Sequence, residues 1–306
     1  RAAGLVVGSG SASGTLEIGS ASTLVTLTDR FILGPNAHLS LVSGSKIHLT
    51  GAHFQLQSST PSNLADLDKL ELICDGDGST TQTFELAGAD LGRTNTGFLQ
   101  NFSLATLTLD QTSVVQLLDA YDSGNRSGSG GADESLYVDT LNLAAGTSLD
   151  LAGLHLYAHH LNDEGATFLN GLPISLLAGD ADGNWKVDGS DLAIWQSNYD
   201  PTGTHAGTNA FTLGDFNEDS RIDGQDLAIW QSNYNPLGYL SVLPAATGED
   251  FLQSLQADDL VVYLEACELA GLPPGELATA LPEPASLLLL AAGTLLTLRT
   301  RRRRAA

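Results

Sequence analysis

Two stretches of this chain carry oxygen-bearing side chains at intervals suited to wrapping a hard cation. The first has Asp180, Asp182, Asn184, Asp188 and Asp191, and the second has Asp215, Asn217, Asp219, Asp223 and Asp226. In a twelve-position loop these are positions 1, 3, 5, 9 and 12, which turn inward when the chain curls around one ion. Position 7 contributes its backbone carbonyl, here from Lys186 and Arg221, whose side chains point away. Oxygen donors in a flexible cage suit Ca²⁺, whereas Zn²⁺ prefers His or Cys. Aspartates also form turns and helix N-caps, but those roles would scatter them. Here the five-oxygen pattern occurs twice. Residues 179–201 recur at 214–236 with 14 of 23 positions identical, which marks a duplication.

A helix is expected to leave each loop at position 12. On it Leu192, Trp195 and Tyr199, and in the second copy Leu227, Trp230 and Tyr234, fall on one face by their spacing. Val187 and Ile222, at position 8, are expected to pair in a short β-bridge between the loops. At these residues, about 179–236, the chain resembles a type I dockerin, including Asp rather than Glu at the last ligand position. The resemblance implies a small α-helical calcium module, assigned to 173–240, and a cohesin-like partner. Two departures stand out. Position 6, usually Gly, is Trp185 and Ser220, which should weaken the tight turn. The positions that meet cohesins in the family hold Gly189-Ser190 and Gly224-Gln225. Partner docking and a calcium-stapled stalk both remain open.

The C-terminus has its own pattern. Pro282-Glu283-Pro284 precedes an uncharged, largely apolar run of 14 residues, Ala285 to Leu298, and then five arginines between Arg299 and Arg304. Residues 281–306 resemble the PEP-CTERM sorting signal of bacterial envelope proteins. The arginines would stay in the cytoplasm, so everything before Pro282 would lie outside it. The run is short for a permanent span. A short transmembrane helix that anchors transiently is expected, processed by an exosortase-type enzyme near the triplet. Such a tail requires export, so an export signal is expected upstream of Arg1. Residues 241–280 read as a linker with helical character around Phe251, Leu252, Leu255, Val262 and Leu269.

Residues 1–172 alternate apolar and polar over short runs punctuated by glycine. Examples are Thr15–Ile18, Leu39–Leu41, Lys46–Leu49, His53–Gln57, Leu70–Leu72, Phe84–Leu86, Ala105–Leu109, Leu141–Leu143 and Ser148–Tyr157. A period of two puts one face on a core and the other in water. Short, evenly spaced strands predict a mainly β body, a β-solenoid or alternatively a β-sandwich. Ser123–Gly131 reads as a flexible loop. His38, His48 and His53 are read as surface strand residues, although one face could stack them. His159-His160 beside Asp163-Glu164 is a weaker metal candidate, and Asp75-Gly-Asp-Gly78 reads as a turn. Cys74 and Cys267 leave a disulfide open.

The chain has 306 residues with 36 acidic and 13 basic, net −23. Five of the basic residues follow Pro284, so the remainder has 8 and carries −28. That charge repels nucleic acid and anionic lipid and attracts divalent cations. The expected function is an exported envelope or extracellular-matrix protein, structural or adhesive, associated with exopolysaccharide or a cohesin-like partner. The alternative is a polysaccharide-degrading β-helix hydrolase or lyase docked through its dockerin. Six scattered basic residues in the β region do not make the basic cleft that a lyase on acidic glycans needs.

Overall fold

The structure, a computed structural model, describes residues 2–51, 53–126, 128–131, 133–204, 210–236 and 238. Pro282, Glu283, Pro284, the apolar run, the 241–280 segment and Cys267 lie outside the described residues. Among the described residues no helix is long and apolar enough to cross a membrane. Two compact units form. One is made of the described residues up to Leu177 with Gly183–Trp185, and the other of Ala178–Asp182 with the described residues from Lys186 on.

The first unit is mainly β, built on a curled parallel sheet. Its strands in chain order are β1 (Ala2–Val7), β2 (Gly14–Ile18), β3 (Leu24–Leu33), β4 (Ala37–Leu41), β5 (Ser45–Leu49) and β6 (His53–Leu56). Then come β7 (Leu70–Gly76), β8 (Thr81–Glu85), β9 (Gly88–Ala89), β10 (Leu104–Gln111) and β11 (Val114–Leu118). Last are β12 (Glu134–Leu143), β13 (Ser148–Asp150), β14 (Leu156–Asp163), β15 (Thr167–Leu169) and β16 (Ile174–Ser175). The first half of β3 starts one parallel ladder through β5, β7, β10, β12, β14 and β16. Its second half belongs to another, through β6, β8, β11, β13 and β15, with β1 on the opposite side. β2 and β4 pair separately, and among the described strands only β9 pairs antiparallel, with β12. Successive passes of the chain thus pair in parallel along both ladders.

Register follows from the alternation. Ile47, Leu72, Leu107, Leu141 and Leu161 lie opposite one another along the first ladder and are all buried. A one-residue slip would turn this whole row to solvent. In the second ladder Phe31, Phe54 and Phe84 meet in tilted ring contacts, with centroids 5.3 and 4.6 Å apart. Cys74 sits in the core row opposite Leu49 and Leu109, and burial pushes its thiol up to about 12. A buried thiol of that kind is an inert apolar filler. The short 3-10 helix Pro61–Lys69 covers an edge of β4, where Asp66 accepts the Leu41 N–H at 2.7 Å.

Three sequence expectations change. The Ser148–Tyr157 run is two strands, because Ala152 and Gly153 both take positive φ and turn a corner. β3, a strand outside the runs read from the sequence, breaks a simple alternation because Thr28, Asp29 and Arg30 are all exposed where its partner changes from β5 to β6. The Gly-rich stretch before β12 is packed against its neighbours: Gly130 N–H donates to the Asp90 carbonyl at 2.8 Å. The sheet also continues to β16, beyond residue 172.

The chain leading from β11 into β12 is stapled by charge. Arg126 grips the Asp119 carboxylate through Nε, at 3.1 Å to both oxygens, and through Nη2 at 2.6 Å. Glu134 accepts the Ser123 N–H at 2.8 Å, while its other oxygen, Oε2, is buried without a hydrogen-bond partner. Burial pushes the Glu134 carboxyl from 4.5 up to about 7; Asp119 adds to the rise and Arg126 opposes it. A carboxyl with a raised folded-state pKa binds more protons folded than unfolded between those values, so stability falls as pH rises through that window. Glu134→Gln is therefore expected to flatten the fall in urea midpoint of the β unit between pH 5 and pH 8, read by circular dichroism.

Candidate metal centre

Each loop is shaped by backbone conformations that its sequence tolerates at a cost. Positions 4 and 6 are left-handed in both copies: Gly183 and Trp185 at φ 81° and 65°, Glu218 and Ser220 at φ 56° and 70°. The turn expected to weaken without glycine is thus made by Trp and Ser, which take the conformation glycine adopts freely. The loops run into α1 (Gly189–Ser197) and α2 (Gly224–Asn233). Asp188 and Asp223 are the N-caps, accepting from Ser190 N at 2.8 Å and Gln225 N at 2.7 Å. These two aspartates therefore do the capping work that competes with a purely ligating role.

The position-12 carboxylates tie each loop closed. Asp191 accepts from Ala181 N (2.8 Å), Asp182 N (3.1 Å) and Asp188 N (2.9 Å). Asp226 repeats this with Phe216 N (2.8 Å), Asn217 N (3.3 Å) and Asp223 N (2.9 Å). Ligand oxygens of Asp180, Asp182 and Asp191 gather within 4.8 Å of one another. In the second loop Asp215 accepts from Asp219 N at 3.1 Å and Ser220 N at 2.9 Å, and Asn217 lies beside Asp219. The side chains of Asn184, Lys186 and Arg221 are exposed, as expected for the last two.

Electrostatically, these loops hold negative charge where it is costly. Asp180, Asp191 and Asp226 are fully buried. Desolvation first, then Asp180 and Asp182, push Asp191 up to about 7. Desolvation likewise pushes Asp226 up to about 6 and raises Asp215. A carboxylate has about four lone-pair sites, so those that accept two or three backbone N–H groups keep capacity for a cation. The donor set is oxygen throughout, with no His or Cys, and fits a hard divalent ion such as Ca²⁺.

The expected Val187–Ile222 bridge does not form. Val187 pairs with Asn235, and Ile222 with Asp200. The chain leaving each helix returns to the opposite loop. The exit-helix tryptophans cross over in the same way. Trp195 Nε1 donates to the Asp223 carbonyl at 3.0 Å, and Trp230 Nε1 to the Asp188 carbonyl at 2.9 Å. Both indoles are fully buried, with Tyr199 and Tyr234 against them at 5.1 and 5.2 Å. Sequence reasoning placed these residues on one helix face but missed that each copy serves the other. The available signal was the pair of repeated glycines. A Cβ on Gly214 would stand 2.8 Å from Trp195 Cα, and one on Gly179 3.2 Å from Trp230 Cα.

The other candidates do not converge on an ion. His38, His48 and His53 lie on β4, β5 and β6, in three separate ladders. His53 Nδ1 is 2.9 Å from Thr83 Oγ1, and His48 Nε2 is 3.9 Å from Asp75. His159 engages Asp139 and Asn95, while His160 is exposed. Asp77 accepts both the N–H and the hydroxyl of Ser79, so Asp75–Gly78 belongs to a turn. The chain matches no protein-family model, no curated protein and no solved structure.

Backbone strain gives opposite outcomes at two positions. Ser220→Gly relieves a left-handed residue and is expected to raise module stability by about 0.5–1 kcal/mol after the extra chain entropy of glycine is subtracted. Gly214→Ala meets both φ 104° and the Trp195 backbone, and is expected to cost more than about 2 kcal/mol. Thermal unfolding in Ca²⁺ reads both.

Proposed function

We propose that this chain is an exported bacterial envelope or extracellular-matrix protein, structural or adhesive, with a β-solenoid body and a dockerin-like Ca²⁺ module. The observation that carries the reading is the twice-built loop, with a buried carboxylate at each end and oxygen donors between. Asp180, Asp182, Asn184, Asp188 and Asp191 would hold one ion, with the carbonyl of Lys186. Asp215, Asn217, Asp219, Asp223 and Asp226 would hold the other, with the carbonyl of Arg221. Because each loop is braced by the opposite helix, ion binding would stiffen the whole module and suit it to a stalk or docking element. In this reading the Pro282-Glu283-Pro284 tail is an address, processed by an exosortase-type enzyme after transient anchoring in the inner membrane. Exopolysaccharide or a cohesin-like protein is the partner, and the net charge of −23 argues against nucleic acid.

Calorimetry of the full chain with CaCl₂ tests the reading. Two ions per chain are expected, with Asp180→Ala and Asp215→Ala each removing one. A ligand that binds only the folded form also raises the unfolding midpoint. No heat at millimolar Ca²⁺ would sink the proposal.

A further inference from the structure

The β unit holds a second cluster of chemistry-bearing side chains, away from the loops just described. Asp90 follows β9 and is buried. Its Oδ2 lies 2.6 Å from His155 Nδ1, and its Oδ1 accepts the Tyr157 hydroxyl at 2.8 Å and the Gly92 N–H at 3.0 Å. The Gly-rich chain before β12 lies directly on this carboxylate. A Cβ on Gly130 would stand 2.2 Å from Oδ1, and one on Gly131 2.5 Å from Oδ2. Glycine is required there because the backbone itself covers the charge. Burial, then the bond to Asp90, raises the Tyr157 phenol, so it remains a donor.

The two histidines flanking Tyr157 are used differently. His159 has both ring nitrogens engaged, Nδ1 with Asp139 at 3.0 Å and Nε2 with Asn95 at 2.8 Å, and it stacks on Phe98 at 3.9 Å. It is a strut. The His155 side chain is 44% exposed while its Asp90 partner is 4% exposed. Only Nδ1 of His155 is hydrogen-bonded among the described residues. A buried carboxylate that accepts Nδ1–H fixes the tautomer and leaves the Nε2 lone pair on the solvent side.

We propose that Asp90 and His155 form a general-base site that activates water against an uncharged acyl ester. The class of substrate follows from the surroundings. A chain of net −23 repels phosphodiesters and other anions. Glycoside cleavage needs two working carboxyl groups, and that of Asp90 is enclosed and committed to His155 and Tyr157. A neutral imidazole suits an ester carbonyl. A water proton passes to Nε2 as the water oxygen bonds to the acyl carbon. The ester C–O bond then breaks, and the proton on Nε2 goes to the departing alkoxide, leaving a carboxylic acid and an alcohol. Asp90 stabilises the imidazolium formed between these steps.

The full chain is assayed with p-nitrophenyl acetate beside His155→Gln and His160→Gln, the latter an exposed histidine on the same strand. His155→Gln is expected to lower the rate above background roughly 100-fold, and His160→Gln to leave it unchanged. Nitrogen-15 NMR of histidine-labelled protein gives a second readout independent of turnover. In the neutral imidazole the proton is expected on Nδ1, with Nε2 bare. Equal rates for wild type and His155→Gln, or a neutral imidazole with its proton on Nε2, would overturn the site. Neither outcome bears on calcium binding.

Discussion

Carboxylates crowded out of water are tolerable only when something positive, or enough N–H donors, compensates them. The loop unit is organised around that constraint. Asp191 and Asp226 are buried at the start of their helices, and backbone N–H groups alone leave them raised to about 7 and about 6. The same N–H groups fold the loops, because each carboxylate draws positions 2, 3 and 9 toward itself. The residual charge is what a divalent cation would neutralise.

Reciprocity is the second constraint. The carbonyls of Asp188 and Asp223 are each held by a tryptophan from the other copy. Neither repeat can settle its ninth position without the other helix in place, so a single copy would leave a buried indole N–H without its acceptor. Leu-Ala-Ile-Trp-Gln-Ser-Asn-Tyr is unchanged between copies, while loop positions 2 to 8 all differ. In the β unit the inward rows of Leu and Phe set the register.

The period-two pattern made most strands legible, and the ladder partners Ile47, Leu72, Leu107 and Leu141 sit where alternation puts them. It failed where the chain bends in mid-strand, as at Thr28–Arg30, and where a corner hides inside a continuous pattern, as at Ala152-Gly153. Loop oxygens and exit helices were legible because their spacing is local. The Trp195–Asp223 and Trp230–Asp188 bonds were not, since they depend on a symmetry between segments rather than on spacing within one. Asp90 and His155 were hidden for the same reason: the antiparallel β9–β12 pair and the parallel β12–β14 pair together bring residues so distant in sequence into contact.

The central claim is that the two loops close as one cation-dependent unit. Hydrogen exchange of the Trp195 and Trp230 indole N–H groups, followed by NMR in the full chain with chelator and then with Ca²⁺, tests it most directly. The account predicts that both indoles exchange readily without the ion and become protected together as Ca²⁺ is added, and that Asp215→Ala reduces protection at both. Protection already complete in chelator and unchanged by Ca²⁺, or a change confined to one indole, would contradict it.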